Sequence, residues 1–376
     1  GSIDEVCRLL VEGLSKGKKV LALIGFGAVL SKAGPALTQL LERYQIPFVT
    51  TLDGKGIIAE RHPLAIGVFC DSGHKAAREA FKEADVILAV GNSFAQHATF
   101  NFREDLLKNK QLIHINIDIG EIDKVYKADA AIIADANLAI TALFGKMSAI
   151  LEPLPQRSFK RYDYASDRIH DLIGKIHPGQ MVQAISRNLP EHAIVLADAG
   201  AHLAWLGYYL ELTPDQHFKK PGGFGPMAGS VNGALGVKCA HPERPVIIGC
   251  GDGCYLLSGF ELLTAVQYDI PVIWIIFNDD EFKLIKIYQL SAYGESGLVE
   301  FKNPDYVAYA KACGAKGYRV ETVEEFERVF KESLKLDKPV IIDAHISRLE
   351  IPHFSSSPEG VLAGLIERVE ERIHPV

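Results

Sequence analysis

The sequence contains no apolar stretch of the roughly 18 to 20 residues needed to span a bilayer, since runs such as Val272 to Phe277 stop at polar and charged residues. A membrane is not an expected partner. It also lacks a basic stripe: its 40 Lys and Arg are scattered among 47 Asp and Glu, giving a net charge of -7. Binding to a nucleic-acid backbone needs clustered positive charge, so nucleic acid is excluded as an expected partner. Cysteine is sparse and unpaired in pattern: Cys7, Cys70, Cys239, Cys250, Cys254 and Cys313 include no CxxC pair. That argues against a zinc site or a disulfide scaffold and suggests reduced, buried thiols in a cytoplasm. The first residues carry no secretory signal pattern, and Gly1-Ser2 without a starting Met reads as a cloning or processing scar. No repeat of solenoid period is evident.

What is present is ordinary globular composition, 48% hydrophobic and 23% charged, in 376 residues, enough for two cores. From Lys19 onward apolar runs alternate with helix-period segments: Val20 to Ile24, then Pro35 to Tyr44, then Pro47 to Thr51. The alternation continues through Val86 to Val90, Leu112 to Ile117 and Ala130 to Ala134. Strands that are apolar on both faces belong to a parallel sheet covered by helices on both sides. Residues 1–150 therefore read as one doubly wound α/β domain. A Pro-rich, polar text with Pro153 and Pro155 follows, and residues 151–177 read as a linker. A second alternation occupies residues 178–350, with strands at Ala193 to Ala197, Val246 to Gly249, Val272 to Phe277 and Val340 to Ala344. Residues 351–376 read as a C-terminal helical tail. The expected fold class is α/β, two doubly wound and mostly parallel-sheet domains.

In open sheets of this kind ligands sit at the carboxyl ends of the strands. The residues directly after the runs are Asp198-Ala199-Gly200, Gly251-Asp252-Gly253 and Asn278-Asp279-Asp280. Gly-Asp-Gly alone can be a tight turn and Asn-Asp alone a helix start. Here 24 residues with a helix-period segment separate them, so a β-turn-α-β crossover brings both acids to neighbouring strand ends. Two carboxylates there suit Mg²⁺, a hard ion that prefers oxygen and commonly carries phosphates as well.

This arrangement resembles the signature of thiamine-diphosphate-dependent enzymes, whose second element is usually Asn-Asn. The resemblance implies thiamine diphosphate and Mg²⁺ as cofactors, with Asp252, Asp279 and the backbone carbonyl of Glu281 as metal ligands. A carboxylate at position 279 in place of an amide should tighten the divalent ion. Asp198 to His202 and Trp205 resemble the segment that in acetolactate synthases reaches the diphosphate through Gly-Gln-His; Ala201 replaces the Gln, so Gly200 and Ala201 backbone and His202 are left as contacts. Gly225-Pro226-Met227 resembles the family's Gly-x-Met turn. By that match Gly225 and Met227 hold the pyrimidine, and the Met227 side chain wedges the cofactor into the bent form that lets its amino group reach C2. Gly251, Gly253, Cys254, Leu284 and Ile285 complete the implied cofactor-binding set. As a lone residue, His202 can be structural and Met227 core filler.

The first domain is similar to the family's Rossmann-like middle domain through Val49 to Gly56, His62-Pro63-Leu64, Glu83 to Val86, and Ile113 to Asp118 with Glu121. That domain often holds FAD, which leaves FAD possible here. Ser93 to Gln96 lacks the Arg of FAD-binding relatives, Asp71-Ser72-Gly73 replaces their Met-His-Gly, and Gly25-Phe26-Gly27 is a weak dinucleotide signal.

Family members open with a further domain whose glutamate activates the aminopyrimidine. No stretch here resembles it, so it is expected to have been removed or to come from another chain, and this chain alone is expected to be inactive. The resemblance implies acetolactate-synthase-like decarboxylation and carboligation of a 2-oxo acid, with a homodimer or homotetramer as the assembly. A decarboxylase, hydrolase or oxidase on the same scaffold is the alternative, and a non-catalytic cofactor-binding module is another. The run Lys283 to Gln289 departs from the Gly-Met-Val and Trp of acetolactate synthases and leaves the acceptor open.

Overall fold

A computed structural model describes residues 2–162 and 175–353. The expected helical tail therefore lies outside the described residues apart from 351–353, which are neither helix nor strand; part of the expected linker, 163–174, is also outside them. Two compact units divide the chain between residues 163 and 164, with the short stretch Leu212–Pro214 grouped with the first.

The first unit is built on strands β1 (Val20–Ile24), β2 (Phe48–Thr50), β3 (Ala65–Val68), β4 (Val86–Val90), β5 (Gln111–Asn116) and β6 (Ala130–Ile133). Their order is β3-β2-β1-β4-β5-β6, and every pairing is parallel. β1 and β4 are buried along their whole length because helices cover both faces. The helix Ile3–Ser15 contributes Val6, Leu10 and Leu14 to one of these cores, and Ser2 caps it by accepting from the Asp4 N–H at 3.1 Å. The helix Gly34–Tyr44 starts with Pro35 in its first turn, where a missing N–H costs nothing.

The chain reverses its winding between β1 and β4, the place where such sheets open a crevice. In this unit the loops after β1 and β4 meet there backbone to backbone. A Cβ on Gly25 would lie 2.4 Å from the Gly91 carbonyl oxygen, and one on Gly27 would lie 2.8 Å from Gly91 Cα. These glycines, the weak dinucleotide signal of the sequence, serve loop-to-loop packing. Beside them the Asn92 carbonyl accepts from Asn116 Nδ2 at 3.0 Å and lies 2.8 Å from His114 Nε2.

The second unit carries β7 (Ile194–Ala197), β8 (His217–Lys219), β9 (Val246–Gly251), β10 (Ile273–Asn278), β11 (Lys316–Val320) and β12 (Val340–His345). Their order is β11-β12-β10-β9-β7-β8, again all parallel. The fold is thus α/β with two doubly wound parallel sheets. β10 is buried throughout, and its Trp274 donates its indole N–H to the Val231 carbonyl at 3.0 Å, which satisfies a polar group at the centre of the core. Gly249 in β9 lets the helix Ala201–Tyr209 settle on the sheet, since a Cβ there would come within 2.5 Å of Leu206 Cδ1. The winding reverses between β7 and β9, which places the ends of these two strands at the crevice.

A cavity at the strand ends of the second unit

Three strand ends meet at one cavity of about 240 Å³. Every residue that the sequence assigned to the cofactor lines it: Gly200, Ala201, His202, Gly225, Met227, Gly251, Asp252, Gly253, Cys254, Asp279, Glu281, Leu284 and Ile285.

From β7, Asp198 turns the chain toward Gly200, whose φ of 151° is a conformation that side chains avoid. The helix that follows brings His202 back between two glycines: a Cβ on Gly200 would meet its ring at 2.6 Å and one on Gly251 at 3.0 Å. His202 is buried, its Nε2 has no hydrogen-bond partner among the described residues, and burial pulls its pKa down to about 3. It is a neutral imidazole with one ring nitrogen unused at the cavity wall. The Cys254 thiol donates to the Ala199 carbonyl at 3.1 Å and ties the Gly-Asp-Gly turn to the β7 loop. Burial pushes that thiol up to about 12, so it packs as a thiol and not as a thiolate nucleophile.

From β9, Asp252 opens the helix Asp252–Ser258 and is held on all sides. Oδ1 accepts from the Gly253 N–H at 2.8 Å, and Oδ2 accepts from the Asp280 N–H and from Asn303 Nδ2, each at 2.8 Å. Asn303 is oriented in turn by the Tyr306 hydroxyl, which donates to its Oδ1 at 2.7 Å. Burial raises Asp252 to about 6. The crossover back to β10 runs through that helix, a turn of 3₁₀ helix at Gly259–Glu261 and the helix Leu262–Gln267.

From β10, Asn278 donates to Asp343 Oδ1 at 2.7 Å, and Asp280 takes φ 52°, the left-handed conformation that turns the chain sharply after Asp279. Asp279 is buried, and this, together with repulsion from Asp252 and Glu281 and against attraction from Lys283, raises it to about 8. Its carbonyl accepts from Arg348 Nε at 2.6 Å. The Glu281 carbonyl accepts from the Lys283 N–H at 3.0 Å and keeps a second lone pair; the Glu281 side chain is turned into ion pairs with Lys283 and Lys286. Gly225, at φ 59° with open space where a Cβ would be, and the half-buried Met227 close another wall.

No group of three or more His, Cys, Asp or Glu side chains is close enough to hold a metal among the described residues. Two carboxylates with backbone oxygens are a partial set of oxygen donors, of the kind that a hard divalent ion completes with oxygens of a phosphorylated ligand and water.

The sequence reading did not assign Asn303, which steadies Asp252 from 51 positions away, nor Phe282, Lys283 and Glu350, which also line the cavity. Asn303 lies in a loop with no periodic signal. Lys283 stood only in the run assigned to substrate selection, and its pairing with Asp279 and Glu281 needs the fold.

Comparison with known proteins decides the family. The thiamine pyrophosphate enzyme central domain matches residues 7–143, and the C-terminal TPP binding domain of the same enzymes matches residues 198–344. The chain belongs to the thiamine pyrophosphate enzymes. Its first unit is their central domain and its second unit their cofactor-binding domain, and the cavity lies wholly in the latter. A probable acetolactate synthase large subunit of Methanococcus aeolicus is 30% identical over 96% of this chain, and one of Methanocaldococcus jannaschii is 31% identical over the same share. The chain spans 63% of the length of each of these relatives. A putative thiamine pyrophosphate-containing protein of Bacillus subtilis, YdaP, is 27% identical over 89% of this chain and 58% of its own length. No helix among the described residues is long and apolar enough to cross a membrane.

Proposed function

We propose that this cavity binds thiamine diphosphate with Mg²⁺, and that the enzyme to which the chain belongs decarboxylates a 2-oxo acid and transfers the remaining fragment to a carbonyl acceptor, as an acetolactate synthase does. The observation that carries the reading is the meeting of Asp252, Asp279 and the unpartnered His202 Nε2 around one cavity at the switch point of the sheet. When bound, the cofactor supplies the electron sink for decarboxylation.

The chain's own residues bind and orient the cofactor. Asp252 and Asp279 supply carboxylate oxygens and Glu281 a carbonyl to the metal, while Asn303 helps the Gly253 and Asp280 N–H groups to hold Asp252 in place. His202 offers a neutral ring nitrogen to the diphosphate end. The Gly225 carbonyl and the Met227 N–H are suited to the aminopyrimidine, with the Met227 side chain as the wedge between the rings. Phe282, Leu284, Ile285 and Ile346 would give a bound cofactor an apolar wall. FAD is not part of this proposal, because Gly25 and Gly27 are accounted for by contact with Gly91.

Asp252→Ala tests the site: in isothermal titration calorimetry, Mg²⁺-dependent binding of thiamine diphosphate is expected to vanish while the protein stays folded. Unchanged affinity in the folded variant would sink the assignment. The reaction class is tested by product: acetolactate from pyruvate supports ligation, whereas acetaldehyde or acetate as the sole product points to a decarboxylase or an oxidase.

A further inference from the structure

Lys283 is the one Lys or Arg among the described residues that line the cavity, and it is buried there at 6% exposure. Its ammonium lies 3.5 Å from Asp279 Oδ2, forms an ion pair with Glu281, and donates to the Arg348 carbonyl at 2.6 Å. Three acceptors thus hold a positive charge against the carboxylate that the proposed metal ion would use. Glu281 would keep a partner without it, because Lys286 Nζ lies 2.6 Å from Glu281 Oε2. Asp279 has no second cation within ion-pair distance among the described residues.

We propose that Lys283 is a tethered cation that holds Asp279 in the metal-free protein and sets the affinity of the site for a divalent ion. The inference rests on the reading of Asp252 and Asp279 as metal ligands. A carboxylate at position 279 adds a negative charge that by itself would tighten the ion; the ammonium beside it offsets that charge and must yield or be repelled when the ion arrives. In a partly buried site, charges a few ångströms apart interact strongly enough for its removal to shift affinity on the order of tenfold or more.

The test is Mn²⁺ binding to the full chain without thiamine diphosphate, buffered above the Asp279 value of about 8 so that its carboxylate is charged, followed by electron paramagnetic resonance of the free ion, together with the melting temperature in chelator. Lys283→Met and Lys283→Gln are expected to bind Mn²⁺ about tenfold tighter and to melt lower when metal-free, while Lys283→Arg keeps the wild-type affinity. Lys283→Gln retains a donor for the Arg348 carbonyl, so it carries the test if the Met variant does not fold. Equal or weaker binding in Lys283→Met and Lys283→Gln, with binding still abolished by Asp252→Ala, overturns the tethered cation and leaves the metal site standing. Mn²⁺ binding that survives Asp252→Ala unchanged overturns both.

Discussion

The two units have the same plan, six parallel strands wound in both directions from an inner pair, yet the described loops at their crevices pack differently. In the first, Gly25, Gly27 and Gly91 draw two loops together at the reversal between β1 and β4 until backbone meets backbone. In the second, the loops after β7, β9 and β10 are linked by side chains, Cys254 to the Ala199 carbonyl and Asp252 to the Asp280 N–H, and line about 240 Å³ with two carboxylates and the one unused ring nitrogen of His202. Topology supplies the place for a site, and the loop residues decide whether the place is filled. Glycine shows the difference most directly: at Gly25 its missing side chain makes room for the protein itself, at Gly225 for open space.

The comparison is broken most forcefully at Gly25. Gly25→Ala puts a methyl group 2.4 Å from a carbonyl oxygen that belongs to another loop, and neither side is a flexible side chain that can swing away. The expected loss is ~3 kcal/mol, read by chemical denaturation of the first unit. A loss under ~0.5 kcal/mol would mean that the crevice of the first unit is not packed shut as described.

Asn303 comes next. It touches Asp252 without being a proposed ligand, so Asn303→Ala should remove one of the three donors that fix the carboxylate and leave the Gly253 and Asp280 N–H bonds in place. Outer partners of metal ligands are typically worth ~10- to 100-fold in affinity, and a Mg²⁺ titration of the variant should fall in that range. An affinity equal to wild type would remove Asn303 from the site.

How much of this was readable from the sequence follows from where each element sits. Central strands such as β1, β4, β9 and β10 are covered on both faces, so their apolar runs stand out. The strands that escaped notice, β3, β8 and β11, are all at sheet edges. β8 is only His217–Lys219 and β11 reads Lys-Gly-Tyr-Arg-Val, because an edge facing water needs no apolar run and is protected by charge. β6 is also an edge, but its Ala-Ala-Ile-Ile text gave it away. Within the cavity, Asp252 and Asp279 were legible because each directly follows a buried run. Asn303 and Lys283 were not, since their roles depend on contacts that no spacing encodes.

Acidity offers a milder test of the open crevice. Burial raises Asp252 to about 6 and Asp279 to about 8, both above the ordinary carboxyl value near 4. A group that holds its proton more tightly when folded stabilises the fold fully below its unfolded value and loses that contribution as pH rises through its folded value. His202, pulled down to about 3, acts in the opposite sense, and its contribution is complete only above its unfolded value near 6.5. Above about pH 6.5 the His202 contribution is complete and that of Asp252 is largely lost, so Asp279 dominates: between about pH 6.5 and 8.5 in chelator the second unit should melt a few degrees lower as pH rises. Added Mg²⁺ should stabilise increasingly over the same window, because it takes the oxygens that the protons leave. A melting temperature in chelator that climbs across this window would contradict the buried pair.

The smallest effect is expected at Gly225, the counterpart of Gly25 in the open crevice. A Cβ added there meets nothing within 4 Å among the described residues, so the cost of Gly225→Ala is conformational: φ is 59°, and a side chain in the left-handed region costs ~1 kcal/mol. Ala228, at φ 69° three residues later, shows that this chain tolerates alanine in that conformation. The variant should fold with a shift of a few degrees, well short of the effect at Gly25. Thiamine diphosphate affinity measured on the same sample separates the two roles of the position. A binding loss larger than the stability loss assigns the open space beside Gly225 to the ligand, as the cavity reading requires. A stability loss as large as that of Gly25→Ala, with binding unimpaired in the fraction that folds, would mean that both crevices are closed by the protein and that the contrast between them is wrong.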